Sequence, residues 1–280
     1  MPVMASPTSD PPALLLSGLA MGESPRWHEG RLWLSDWGAQ EIIAMDLAGR
    51  SEVIVRVPFG LPFCFDWLPD GRLLIVSGRE GTLLRLDSHG RLVTHAQLPG
   101  HGAVWNEIVV DGRGRIYVNG GDAIALVTLE GCARQLADGI AFPNGMAVTS
   151  DNSTLIVAES HGRRLTAFDI AADGSLANRR TWADAGIGVP DGICIDAEGA
   201  VWYAVVPNKR CVRVREGGDV LQIVDLDRGC FACMLGGEDG KTLFIVATEW
   251  RGMEHVAEVA QERTSRVLAI AAPAPGVGWP

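Results

Sequence analysis

No stretch of this chain is both long and apolar enough to cross a bilayer, although 47% of its residues are apolar. That apolar share is therefore left to build a sizeable core. Basic charge is scarce: 24 Lys and Arg stand against 34 Asp and Glu, a net charge of -10. Neutralising phosphates needs a basic surface, so nucleic acid is not an expected partner. There is no basic amphipathic stretch either, so no membrane face is expected. Residues 1–12 hold no basic residue and no apolar run before Ala13. They read as a disordered tail without an export signal, and the expected location is cytoplasmic.

The sequence also lacks a G-x-S-x-G elbow, a Walker loop, a Rossmann fingerprint and an H-E-x-x-H pair, which disfavours nucleotide, flavin and serine-hydrolase chemistry. Ser160 beside His161 does not make a triad, because adjacent side chains on a strand end point apart. Six cysteines (64, 132, 194, 211, 230 and 233) are scattered through apolar segments. Buried free thiols are the expected reading. Cys230 and Cys233 form a C-x-x-C, but no second pair and no suitably spaced His accompany it.

What the chain does have is a repeat. A polar turn followed by a β-rich apolar run recurs as His28-Glu-Gly-Arg-Leu-Trp-Leu, Asp70-Gly-Arg-Leu-Leu-Ile-Val and Gly112-Arg-Gly-Arg-Ile-Tyr-Val. It returns as Asp151-Asn-Ser-Thr-Leu-Ile-Val, Ala197-Glu-Gly-Ala-Val-Trp-Tyr and Asp239-Gly-Lys-Thr-Leu-Phe-Ile. Gly and Asp suit such hairpin turns. A second strand family begins near Ile42, Leu83, Ile124, Leu165, Cys211 and Arg266, the first four starts being 41 residues apart by subtraction. That period, with about four strands per unit, fits a propeller blade. The expected fold class is all-β: a six-bladed β-propeller with four antiparallel strands per blade, spanning residues 13–273, with 274–280 as a C-terminal tail. Leu14-Leu15-Leu16 is expected to close the ring by joining the last blade. The stretch from Trp250 to Ser265 is an insertion with weak helical character, either a surface excursion or a lid over a pocket.

Counting back about ten residues from each hairpin's outgoing strand gives six equivalent positions at one channel mouth. They hold Glu23, Cys64, Asn106, Asn144, Asp191 and, less regularly, Ala232. Taken singly, Asn144-Gly145 and Asp191-Gly192 are ordinary turn dipeptides. Together, two carboxylates converging on a channel repel unless a cation compensates. Carboxylate and amide oxygens are the ligand set of Ca²⁺, Mg²⁺ or Mn²⁺, with Zn²⁺ also admissible. One divalent metal ion is the expected cofactor.

At these residues the chain resembles the SMP-30/gluconolactonase/luciferin-regenerating-enzyme family. The resemblance is carried by Gly22-Glu-Ser-Pro-Arg-Trp-His, similar to the family's E-G-P-x-W opening, by Phe142-Pro-Asn-Gly-Met-Ala, and by Pro190-Asp-Gly-Ile-Cys-Ile-Asp-Ala-Glu-Gly. Trp105-Asn-Glu matches more loosely, and the likeness runs from about Leu14 to Ala272. It implies one catalytic divalent cation held by Glu23, Asn144 and Asp191, with Asn106 as a fourth ligand or a substrate contact. It also implies hydrolysis of a lactone, in most members a sugar lactone; relatives open other esters or split phosphorus–fluorine bonds. Family members acting on aldonolactones commonly carry R-x-N-D where this chain has Val104-Trp-Asn-Glu. Losing that Arg removes a fork of donors suited to sugar hydroxyls, and points to a less polar lactone or ester.

Asp191 is the candidate general base. Strand direction places further residues at the rim: Asp36-Trp37, Asn119-Gly-Gly-Asp122, Glu159-Ser-His161, Pro207-Asn208 and Glu249-Trp250. Trp37, Trp105, His101 and His161 are the candidate substrate contacts, although a His on a polar loop is more often simply solvated. Two other readings stay open: a phosphotriesterase-like activity at the same metal, and a non-catalytic propeller that binds a ligand or protein. A monomer or homodimer is the default assembly.

Overall fold

Strand β1 (Ala13–Leu19) is the first element, and it belongs to the last blade. The computed structural model describes residues 11–100 and 102–279. Blade 1 is β2 (Gly22–His28), β3 (Arg31–Asp36), β4 (Glu41–Met45) and β5 (Ser51–Arg56). Blade 2 is β6 (Phe63–Trp67), β7 (Leu73–Ser77), β8 (Thr82–Leu86) and β9 (Leu92–Gln97). Blade 3 is β10 (Trp105–Val110), β11 (Ile116–Gly120), β12 (Ala123–Val127) and β13 (Ala133–Ala137). Blade 4 is β14 (Pro143–Val148), β15 (Thr154–Glu159), β16 (Arg164–Ile170) and β17 (Leu176–Asp184). Blade 5 is β18 (Pro190–Asp196), β19 (Val201–Val205), β20 (Arg210–Val214) and β21 (Val220–Asp225). Blade 6 is β22 (Gly229–Gly236), β23 (Thr242–Thr248) and β24 (Ser265–Ala271), completed by β1 on the edge of β24. The fold is the six-bladed propeller that the repeat announces.

Each blade is an antiparallel meander, and its first strand packs against the first strands of both neighbours. Contacts run from β2 through β6, β10, β14, β18 and β22 and back to β2, which closes the ring around a channel. The apolar clusters lie in the clefts between blades. Trp33, Phe63 and Phe65 fill blades 1–2, Trp105, Ile108 and Val118 fill blades 2–3, and Tyr117, Met146 and Phe168 fill blades 3–4. Sheets stacked face to face in this way bury both surfaces of the inner strands. The outermost strands are mostly exposed or part-buried, as in β5 and β9.

The turns explain why the repeat is visible in the sequence. In the loops after β4, β8, β10 and β18 an Asp ends or follows the strand. Its Oδ1 accepts the N–H groups two and four residues on, as with Asp87 to His89 and Arg91, and Asp196 to Glu198 and Ala200. The carboxylate supplies an acceptor for turn amides that have no strand partner.

Five cysteines are buried and Cys132 is exposed, so the buried-thiol expectation fails at that one position. Cys132 sits in the turn between β12 and β13, where no neighbouring blade covers it. The segment read from sequence as a C-terminal tail is bonded into the ring. Strand β25 (Gly276–Val277) pairs with the end of β18. Trp279 exchanges two backbone hydrogen bonds with Val148. Together they cover the channel end opposite the starts of the inner strands. The 250–265 insertion forms a 3-10 turn (Met253–His255) and helix α1 (Val256–Glu262). No helix among the described residues is long and apolar enough to cross a membrane.

Candidate metal centre and substrate cavity

Inner strands pair regularly with their neighbours except at the channel mouth. Register shifts fall between Trp105 and Glu107, between Pro143 and Met146, between Pro190 and Ile193, and between Cys230 and Ala232. Another falls just after Glu23, between Glu23 and Arg26. Each is a β-bulge, which frees a residue from strict alternation and re-aims its side chain. Asn106, Asn144 and Asp191 sit within their bulges. Strand β6 of blade 2 has no register shift, and its equivalent residue, Cys64, is fully buried. In blade 6 the bulged residue is Phe231, so the sixth mouth position is Phe231 and not Ala232.

The glycines of Asn144-Gly145 and Asp191-Gly192 are not turn formers, because both lie inside strands. They are small because the inner strands converge. A Cβ on Gly145 would lie 2.5 Å from the Asp191 carbonyl oxygen, and one on Gly192 would lie 2.6 Å from the Ala232 Cβ. Gly192→Ala is therefore expected to force β18 and β22 apart at a cost of about 2 kcal/mol. The check is thermal melting, where a fall of roughly 3–4 °C is expected for a domain of this size.

One cavity of about 360 Å³ is lined by Glu23, Asn106, Asn144 and Asp191 together. Their blades, 1, 3, 4 and 5, are scattered over the chain, and the ring alone brings them together. Asn106 Nδ2 donates to Asn144 Oδ1 at 3.0 Å, and Asn144 Nδ2 reaches Ser160 Oγ at 3.5 Å. Ser160 in turn donates to the Pro190 carbonyl at 2.7 Å, tying blade 4 to the strand that carries Asp191. Asn119, fully buried, donates its Nδ2 to the Asn144 carbonyl. Asp36, read from sequence as a rim residue, turns inward and accepts the Ala20 and Met21 N–H groups at 3.0 and 2.8 Å. That staples the bend from which Glu23 emerges.

The electrostatics of the mouth are uncompensated. Burial first, then the Glu107 carboxylate, pushes Glu23 from 4.5 to about 8 despite the Ser24 N–H and Arg26. Asp191 is raised well above the ordinary carboxylate range by burial, then by Glu23 and Glu107. Arg26, the buried cation below them, is committed to Glu107 at 2.9 Å and to the Ile108 carbonyl at 2.8 Å. A buried and a part-buried carboxylate beside two side-chain amides form a hard oxygen donor set that suits Ca²⁺, Mg²⁺ or Mn²⁺. No group of three His, Cys, Asp or Glu side chains placed to hold a metal occurs among the described residues.

The candidate substrate contacts divide. Trp37 lines the cavity, and its indole N–H donates to the Phe63 carbonyl, so it offers an apolar face. Trp105 is a correction: it is 1% exposed and packs between blades 2 and 3, away from the cavity. The bulge aims Asn106 into the channel, and its neighbour must point into the cleft. His161 also lies outside the lining; its ring stacks on Phe142 at 4.6 Å. Phe142 itself is half exposed, holds a φ of 59° and forms part of the wall. His101 lies outside the described residues. Residues not foreseen from sequence complete the lining: Met21, Leu61, Pro62, Arg79, Phe142 and Phe231, with Met253 reaching in from the 250–265 insertion.

A six-bladed ring with oxygen donors gathered at one channel mouth defines a recognisable class of propeller. The sequence profile of the SMP-30/Gluconolactonase/LRE-like region matches residues 21–249, and the chain belongs to that family. The 6-deoxy-6-sulfogluconolactonase of Pseudomonas putida is 29% identical over 257 residues, covering 85% of this chain and 87% of that protein. A luciferin-regenerating enzyme has the same fold, with a TM-score of 0.79 at 18% identity over 94% of this chain and 95% of its own. A calcium-binding regucalcin from Agrobacterium tumefaciens gives a TM-score of 0.72 at 22% identity, covering 93% and 94% of the two chains.

Proposed function

We propose that this protein is a divalent-metal-dependent hydrolase that opens a lactone, with Glu23, Asn144 and Asp191 holding the cation and Asn106 beside them. The observation that carries this reading is the convergence of two uncompensated carboxylates, Glu23 buried and Asp191 part-buried, and two amides on one cavity. The lactonase named among the relatives supports it, as does the calcium-binding protein among the solved structures. When bound, the cation supplies polarisation of the lactone carbonyl and acidification of a nearby water.

The chain's own residues do the rest. Asp191 accepts the proton of the attacking water and later returns it to the leaving ring oxygen. A general base of this kind contributes about 10²–10⁴-fold. Asn106 Nδ2 orients Asn144, and the Asn106 amide oxygen would serve as a fourth ligand or a substrate contact. Trp37, Phe142, Phe231, Trp250 and Met253 give the cavity an apolar wall that seats a ring and limits water. That wall favours a lactone with an apolar edge over one hydroxylated all round.

The test is a pH-indicator screen of lactones and esters with the purified protein, after chelation and after return of Ca²⁺, Mn²⁺, Mg²⁺ or Zn²⁺. Hydrolysis lost on chelation and restored by at least one divalent ion is expected. Hydrolysis indifferent to chelation would remove the metal from the proposal.

A further inference from the structure

The substrate cavity holds a single cation. Among its lining residues two carboxylates, Glu23 and Asp191, and two amides sit at the mouth of the channel, and the remainder are apolar or glycine except Arg79. This arginine comes from the loop after β7, on blade 2, which like blade 6 gives no oxygen donor to the ring. In a ring of six, blade 2 stands directly across the channel from blade 5, which carries Asp191.

The chain is built to present Arg79 there. Gly78 N–H donates to the Pro62 carbonyl at 3.1 Å, and the Gly78 carbonyl accepts the Trp105 N–H at 3.0 Å. A Cβ at this position would lie 2.1 Å from the Trp105 carbonyl oxygen, so only glycine permits the double clamp. The clamp fixes the direction in which residue 79 leaves the backbone. Arg79 Nε then donates to the carbonyl of Leu61, itself a wall residue, at 2.8 Å. One donor of the guanidinium is used for positioning, and the two terminal nitrogens remain for a ligand. No carboxylate pairs with Arg79 among the described residues, in a protein whose net charge is -10.

Charge balance makes the consequence specific. Ionised Glu23 and Asp191 cancel a divalent cation, which leaves Arg79 as the one unbalanced charge of the cavity. An arginine fork is suited to planar or tetrahedral oxyanions, which it binds through paired N–H groups. We propose that Arg79 is a specificity-determining residue, and that the substrate class is a lactone carrying one carboxylate or sulfonate remote from its carbonyl. The inference rests on the lactone-opening reading and deepens it: the carbonyl lies toward Asp191, the anion lies toward Arg79, and the apolar wall takes the edge between them.

The experiment uses the metal-loaded protein and three lactones identical but for a terminal carboxylate, sulfonate or methyl ester. The wild type is expected to favour an anionic lactone over the ester by at least ~10-fold in kcat/KM, a typical effect of a charge-assisted contact. In Arg79→Gln that preference is expected to collapse to about onefold, mainly through KM, while Arg79→Lys keeps part of it. The preference should also weaken with added salt. The better of the two anions identifies the group. Equal kcat/KM for all three lactones in the wild type, or a preference unchanged in Arg79→Gln, would overturn the proposal. Should no lactone be turned over, the lactone reading fails, and Arg79 is judged separately by titrating a non-hydrolysable lactam carboxylate against tryptophan fluorescence. Binding weakened ~10-fold in Arg79→Gln upholds an anion site, and unchanged binding removes it.

Discussion

Asp191→Ala and Glu23→Ala are each expected to abolish divalent-cation retention and to lower kcat/KM by at least ~10³-fold, while the far-UV spectrum stays that of a β protein. The magnitude combines loss of a general base, about 10²–10⁴-fold, with loss of a cation ligand that stabilises developing charge by several kcal/mol. The β spectrum should survive because neither side chain fills the clefts between blades where the apolar core lies. The two carboxylates also bear on stability, and the sign is the reverse of the usual acidic case. Glu23 is raised from 4.5 to about 8 by burial and then by Glu107. Its contribution is therefore fully present below pH 4.5 and is lost as pH rises through about 8. Metal-free protein should lose Tm across that window, and Asp191→Asn should recover part of the loss by removing a like charge. A divalent ion at 100 times its Kd adds about 2.7 kcal/mol, and the gain in Tm should be larger at pH 8 than at pH 5. Scanning fluorimetry at both pH values, with and without the ion, measures all of this. A Tm blind to divalent ions at pH 8, or an alanine variant at full turnover after chelation, would dismantle the site.

The ring was legible because each blade repeats one physical solution. An Asp or Gly turn must cap a hairpin of fixed length, so the turn and the strand recur with the same spacing. The oxygen donors were legible for the same reason, since a fixed count from each hairpin reaches the channel mouth. Local departures from alternation were not legible. A bulge moves the pointing residue by one, so the sixth position is Phe231 and not Ala232. The same parity sends Trp105 into the cleft beside Asn106, which strict alternation of adjacent side chains could have indicated. Arg79 left no trace in the repeat, because it arises from a loop after β7 and not from an inner strand. The closing segment was equally silent. Gly276 and Val277 are too few to read as a strand, and only the exposed edge of β18 gives them a partner.

Glu159→Ala is expected to be the most destabilising single change in the rim. This carboxylate is fully buried at the end of β15. It accepts from Thr166 Oγ1 at 2.5 Å, from Arg179 at 2.9 Å, from Arg164 at 3.0 Å and from the Ala141 N–H at 3.0 Å. Burial alone would raise its pKa; Thr166, Arg164, the Ala141 N–H and Arg179 outweigh burial and hold it at about 2. Removing one partner of a buried ion pair costs about 3–5 kcal/mol. The lower end applies here, because the two arginine side chains are 38% and 34% exposed and regain water. Against a typical total of about 5–15 kcal/mol, that is a large fraction. The carboxylate is depressed from 4.5, so its contribution is present above pH 4.5 and fades as pH falls toward 2. Urea denaturation should therefore separate wild type and Glu159→Ala widely at pH 7 and much less at pH 2.5. The effect reaches the site as well. Ala141 leads directly into Phe142, held at a φ of 59°, and on to Asn144. Slackening that segment should weaken divalent binding even in folded protein, and Glu159→Gln, which can still accept from Ala141, should keep more of it. A difference under about 1 kcal/mol at pH 7, within the range of an exposed pair, would show that the network does not hold the rim.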